Sequence, residues 1–131
     1  MSEDPIKVTD LELAILQQIW AFNNSATVND ILENWHQGDA PGYTTVLKTL
    51  QKMEAKGIVD HVAAGKKYAY FATIDKEQVT NKRLGTIVDR IFSGSKLSFA
   101  QYFIDSGEFN AEELKELKKL IAKKEKKMKN D

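Results

Sequence analysis

At 131 residues, and without a single cysteine, the chain has room for one domain, or for a small domain with an appendage, and for no disulfide or thiolate metal site. Its hydrophobic share of 42% and charged share of 29% are those of a folded soluble protein, and no apolar run approaches the roughly 18 residues of a membrane span. The 19 basic and 19 acidic side chains cancel, which excludes a protein that coats nucleic acid by bulk charge.

The charge is unevenly placed. Residues 1–42 hold one lysine against seven acids, residues 43–74 five lysines against two acids, and residues 75–131 thirteen bases against ten acids. Local positive charge suits a site-specific reader of nucleic acid. The opening Met1-Ser2-Glu3-Asp4-Pro5 lacks the basic-then-apolar pattern of a signal peptide, so a cytoplasmic location is expected.

Thr9-Asp10-Leu11-Glu12 has the form of a capping box and opens a first helix, with Leu13, Leu16 and Trp20 on one line and Ile15, Ile19 and Phe22 beside it. Asn23-Asn24-Ser25 ends it. Thr27 caps a second helix, in which Val28, Ile31, Leu32 and Trp35 follow the i, i+3, i+4, i+7 spacing. A loop rich in glycine and proline covers 36–42. The expected core includes Leu16, Ile19, Trp20, Ile31, Leu32, Leu50 and Met53.

The stretch 43–73 carries the strongest pattern. In a helix over 43–56, Val46, Leu50, Met53 and Gly57 fall on one side, with Leu47 and Glu54 at its edge. The opposite arc carries Thr44, Thr45, Lys48, Thr49, Lys52, Ala55 and Lys56 and no carboxylate. Gly57 stops the helix. Two short alternating strands follow, around a glycine-containing tip with Lys66 and Lys67, and read as a β-hairpin. Three short helices and a hairpin make a winged helix-turn-helix domain over 1–74. Thr44, Thr45, Lys48, Thr49 and Lys52 are the candidate contacts to duplex DNA in the major groove. Lys66 and Lys67, in a wing over 64–67, are the candidate contacts to its backbone. Tyr43 lies toward the core edge of its helix, where it can either pack or touch DNA.

Residues 75–131 are helical in pattern with no strand signal. A helix over 76–92 carries a stripe of Leu84, Ile87, Val88, Ile91 and Phe92, and Ser93-Gly94-Ser95 breaks it. A helix over 96–105 carries Leu97, Phe99, Ala100, Phe103 and Ile104. A last helix, capped at Asn110, places Leu114, Leu117, Leu120 and Ile121 on one side. Its acids come early and its lysines late, as the helix dipole favours. Helices of this size do not enclose a core of their own. Pairing with a second copy is therefore expected, through Leu84, Ile87, Val88, Ile91, Phe92, Phe99, Phe103, Leu117 and Ile121. Two-fold symmetry also matches what a DNA-binding dimer needs.

Thr9-Asp10-Leu11-Glu12, Trp20, Tyr43-Thr44-Thr45-Val46-Leu47, Lys56-Gly57 and Gly65-Lys66-Lys67-Tyr68-Ala69-Tyr70 resemble the penicillinase repressor family, the BlaI/MecI/CopY group. Ile91-Phe92-Ser93-Gly94-Ser95 and Glu112-Glu113-Leu114-Lys115-Glu116-Leu117 extend the resemblance over nearly the whole chain. It implies a homodimeric transcriptional repressor acting on inverted repeats of TACA/TGTA-like half-sites, with contacts at Thr44, Thr45, Lys48 and Lys52. It also implies a sensor or protease that releases the repressor. The family's Asn-Phe cleavage pair aligns with Tyr102-Phe103, and the cysteine-rich tail of the copper-responsive members is absent. A different cleavage site, a small ligand, a partner protein or constitutive repression remain as release routes.

No nucleophile elbow, phosphate-cradling glycine loop or HExxH pattern occurs, so no enzyme and no cofactor are expected. His36 and His61 are the two histidines. His61 and Asp60 are adjacent on a strand and point to opposite faces, so no metal site is expected there. The lysine-rich end over 115–129, interleaved with glutamates, reads as a solvated amphipathic helix. The competing reading of the fold is a winged helix that binds protein and not DNA.

Overall fold

A computed structural model describes residues 7–131. The opening segment to Pro5, and with it the signal-peptide reading, lies outside them. The elements are α1 (Asp10–Ala21), α2 (Val28–Glu33), α3 (Tyr43–Lys56), β1 (Val59–Ala64), β2 (Lys67–Ala72), α4 (Lys76–Ile91), α5 (Lys96–Ser106) and α6 (Ala111–Lys129). Three helices followed by an antiparallel hairpin are the winged helix-turn-helix, and the remaining elements are helical.

Side-chain caps open these helices where the sequence places them. Thr9 Oγ1 accepts from the Glu12 N–H and Glu12 Oε1 from the Thr9 N–H, at 3.1 and 2.8 Å. Thr27 with Asp30 and Asn110 with Glu113 repeat the arrangement. Helix α2 departs from expectation by ending at Glu33, before Trp35. Competing polar groups take over its last carbonyls. The Asn34 side-chain amide donates to the Asp30 carbonyl at 2.8 Å, and the Gln18 amide donates to the Ile31 and Asn34 carbonyls. Trp35 thus lies beyond the helix, half-buried against the core.

At the end of α3, Gly57 takes φ 83°, and the Ile58 N–H donates to the Met53 carbonyl at 3.0 Å. That left-handed turn sends the chain directly into the hairpin. The strands pair from Val59 with Ala72 to Ala64 with Lys67, leaving Gly65-Lys66 as a two-residue turn. The loop after α1 joins them through a single-residue bridge. Ala26 exchanges both backbone hydrogen bonds with Tyr70, and the Asn24 side chain bonds both the N–H and the carbonyl of Ala72. These bonds lock the hairpin onto the helical part.

The core is one cluster. Ile15, Leu16, Ile19, Ile31, Val46, Leu50, Met53 and Ile58 are fully buried, with Val59, Tyr70 and Val79 packed among them. Trp20 and Leu32, expected inside, lie half-buried at its edge.

The chain divides into two compact units, the first ending at Thr86 and the second beginning at Ile87. The division falls within α4, later in the chain than Ile74-Asp75. The start of α4 belongs with the winged helix for a physical reason: Val79 is buried in its core, and the Arg83 guanidinium donates to the Val8 carbonyl and to Asp10 at 3.0 and 3.1 Å. Within the second unit a run of ring contacts links Phe92 to Phe99 and Tyr102, Phe99 to Phe103, and Phe103 to Phe109, with centroids 5.4–6.1 Å apart.

Leu50 sits at the centre of the first core. Leu50→Ala is expected to lower stability by about 2–5 kcal/mol, read from urea unfolding. A loss much below about 1 kcal/mol would show that the buried line of α3 does not anchor the fold.

Candidate nucleic-acid interface

Burial of Val46, Leu50 and Met53 fixes how α3 is rotated, and the opposite arc follows from it. Thr44, Thr45, Lys48 and Lys52 are exposed. Thr49 is half-buried, and its hydroxyl donates to the Thr45 carbonyl at 2.7 Å. The residue capping the start of α3, Gly42, supplies no side-chain cap to the first N–H groups. The last turn is different. Lys56 Nζ meets Glu12 Oε1 at 2.8 Å, and both side chains are largely buried. Its position on the polar arc therefore does not make it a surface group; it ties α3 to α1.

Lys66 and Lys67 stand exposed at the turn of the hairpin. Between the hairpin, α2 and α3 runs an open cleft of about 300 Å³. Tyr43, Leu47 and Gln51 line it from α3, Asn29 from α2, and Lys66, Lys67, Tyr68 and Tyr70 from the hairpin. Tyr43, which the sequence leaves between two roles, is half exposed (52%) and faces this cleft. Gln51, Asn29 and Tyr68 were not among the expected contacts. Gln51 could have been found from its exposed helical position; the other two come to the cleft only through folding.

The acids nearest α3 are turned to its flanks. Besides Glu12, Glu54 on the wing side bonds His61 Nδ1, and Asp60 Oδ1 lies 4.0 Å from the same nitrogen. Tyr68 and Tyr70 flank the imidazole, with centroids 4.5 and 5.5 Å away. Glu54, Asp60 and His61 thus gather their donor atoms within 4.8 Å of one another. Two of these donors are the neighbouring strand residues Asp60 and His61, and the third comes from α3. Burial, and next the Glu54 carboxylate and the phenols of Tyr43 and Tyr68, raise the Tyr70 phenol above its ordinary value of 10.0.

The candidate pairing residues are distributed differently. Leu84 and Ile87 are exposed, and Ile91 is 70% exposed. Val88 is buried within the single chain, and Phe92, Phe99 and Leu117 are half-buried. Phe103 and Ile121 are exposed. No residue of α5 or α6 is buried, although these helices carry Leu97, Tyr102, Phe103, Leu114, Leu120 and Ile121.

Comparison with known proteins places these features in a family context. Residues 8–123 match the sequence profile described as penicillinase repressor. The chain is 21% identical over 115 residues to the penicillinase repressor of Bacillus licheniformis, covering 88% of this chain and 89% of that one. It is 18% identical over 124 residues to the methicillin resistance regulatory protein MecI of Staphylococcus aureus strain N315, covering 95% of this chain and all of that one. The same identity and coverage hold for MecI of Mammaliicoccus sciuri.

The raised Tyr70 phenol has a sign that can be checked. Below the ordinary phenol range both folded and unfolded chains hold the proton, and the contribution of Tyr70 is intact. As pH rises past about 10, the unfolded chain ionises first and stability falls, until the folded phenol ionises as well. Phenolate ultraviolet absorbance should show one of the four tyrosines ionising late, and Tyr70→Phe should remove that late step. Four tyrosines that titrate together would contradict this.

Proposed function

Because the chain belongs to the penicillinase repressor family, a family of transcriptional repressors and not of enzymes, we propose that it represses transcription as a homodimer bound to an inverted-repeat operator. The observation that carries the reading is the exposed arc of α3. The hydroxyls of Thr44 and Thr45 and the ammonium groups of Lys48 and Lys52 are on exposed residues with no carboxylate among them, and a basic hairpin turn follows in the same domain. In this reading α3 lies in the major groove, where Thr44, Thr45, Lys48, Thr49 and Lys52 meet base edges and phosphates. Lys66 and Lys67 lie on the backbone and set the register.

Dimerisation is the second part of the proposal. Two helices without one buried residue, bearing this many large apolar side chains, leave an apolar surface that a second copy would cover. Ile87, Ile91, Phe103 and Ile121 supply its exposed part, while Phe92, Phe99 and Leu117 are half-buried and Val88 is packed within the chain; Leu84, exposed earlier on α4, is proposed to pair as well. No helix among the described residues is long and apolar enough to cross a membrane, and the proposed place of action is the cytoplasm, where the DNA is. Release would depend on a partner, a sensor or protease. The Tyr102-Phe103 bond lies inside α5, with both side chains exposed in the single chain. In the dimer we expect it to be covered, so the trigger acts elsewhere.

Selection of bound sequences from a random duplex pool tests DNA binding and yields the half-site. Lys48→Ala should then weaken binding to the selected site by about 1–3 kcal/mol, and weaken binding to random duplex less. Lys66→Ala should weaken both alike and lower the salt slope by about one. DNA affinity unchanged in both variants would sink the interface assignment.

Sedimentation of the native chain at micromolar concentration should show a dimer. Ile91→Glu places a charge in the apolar contact and should give a folded monomer. A monomeric native chain would overturn the pairing.

A further inference from the structure

We propose that Glu54, Asp60 and His61 form a binding site for a divalent transition-metal ion of the zinc class, joining the wing to the recognition helix. Glu54 is in the last turn of α3, whereas Asp60 and His61 are the second and third residues of β1. Their donor atoms converge within 4.8 Å although Gly57 and its turn separate them in sequence. Ligands around a tetrahedral zinc ion, with bonds of ~2.0–2.2 Å, lie ~3.3–3.6 Å apart. Small side-chain rotations therefore suffice to admit an ion. The Glu54 carboxylate and His61 Nδ1, in direct contact without it, would move slightly apart, and Asp60 Oδ1 would close in from 4.0 Å.

The surroundings favour this use. Tyr68 and Tyr70 hold the imidazole ring from the hairpin, so its orientation does not have to be established on binding. The Asp60 carboxylate accepts the His61 backbone N–H at 2.8 Å, which keeps it folded back toward the ring. That contact answers the objection that neighbouring strand residues point to opposite faces. One imidazole nitrogen and two carboxylates are a borderline donor set, suited to Zn2+, Co2+ or Ni2+. An all-oxygen site would suit Mg2+ or Ca2+, and thiolates would suit Cu(I). Side-chain exposures of 32–60% leave the cluster open to solvent, so water would complete the coordination.

The consequence for DNA rests on the repressor reading. An ion shared by α3 and β1 fixes the angle between the recognition helix and the strand leading to Lys66 and Lys67. Occupancy would thereby change how well both meet one duplex.

The test uses the full chain, stripped with EDTA and titrated with ZnCl2 by calorimetry. One-to-one saturable binding is expected, weakened about tenfold or more in His61→Ala and in Glu54→Gln, and unchanged in His36→Ala, since His36 lies on the loop after α2, outside the cluster, with its Nδ1 on the Asn34 carbonyl. Glu54→Gln is nearly isosteric, so it reads the site even where His61→Ala fails to fold. Co2+ absorption should report the same dependence. No saturable Zn2+ binding by the native chain, or binding indifferent to both His61 and Glu54, would overturn the site. DNA titrations with and without Zn2+ form a separate arm. Zinc binding with no DNA binding would sink the repressor reading and leave the site standing. DNA binding with no zinc binding would do the reverse.

Discussion

Everything at the candidate interface depends on the burial of three side chains on one line of α3. Val46, Leu50 and Met53 are completely enclosed, and a turn of the helix about its axis would expose them at about 1.5–3 kcal/mol each. The rotation of α3 is therefore not adjustable. What points outward is dictated by what must point inward, and the outward residues are threonines and lysines. A reader of DNA needs this rigidity, because a side chain displaced by an ångström misses its base edge.

The core also arranges the charges. Two carboxylates near α3 could have cancelled its positive arc, and each is engaged elsewhere. Glu12 caps α1 and pairs with Lys56 in a largely buried contact. Removing either partner would leave the other desolvated without its counter-charge, so the pair resists change even though it adds little net stability. Glu54 is turned toward His61. Lys48 and Lys52 are left on the open arc and Lys66 and Lys67 on the turn. A chain of zero net charge can in this way present a basic surface.

The two units differ in kind. The winged helix encloses its own core and fastens the hairpin to the helices through Asn24, Ala26 and Tyr70. The unit beginning at Ile87 has aromatic rings in sequence-local contact and no buried residue in its last two helices. Its apolar pattern is complete but unmatched within one chain. That contrast fits a division of labour in which one unit reads and the other assembles, the division proposed for the repressor.

Much of this was legible in the residues themselves. Capping boxes, the helical period of 43–56, Gly57 and the glycine-containing hairpin tip are local signals, and these features appear where the sequence places them, with the strands pairing closer to the tip, up to Ala64 with Lys67. The outward arc from Thr44 to Lys52 follows from the same period, since one face of a helix specifies the other. Contacts distant in the chain decided the rest. Gln18 and Asn34 shortened α2, because polar side chains reached carbonyls that a helical pattern assumes are bonded. Lys56 left the polar arc for Glu12, 44 positions away. Asn24 and Ala26 bond the hairpin only because β2 lies beside them, Asn24 through its side chain and Ala26 through a single bridge. Glu54 joined Asp60 and His61 only after Gly57 turned the chain back, and a period along one element cannot report what a second element brings to it.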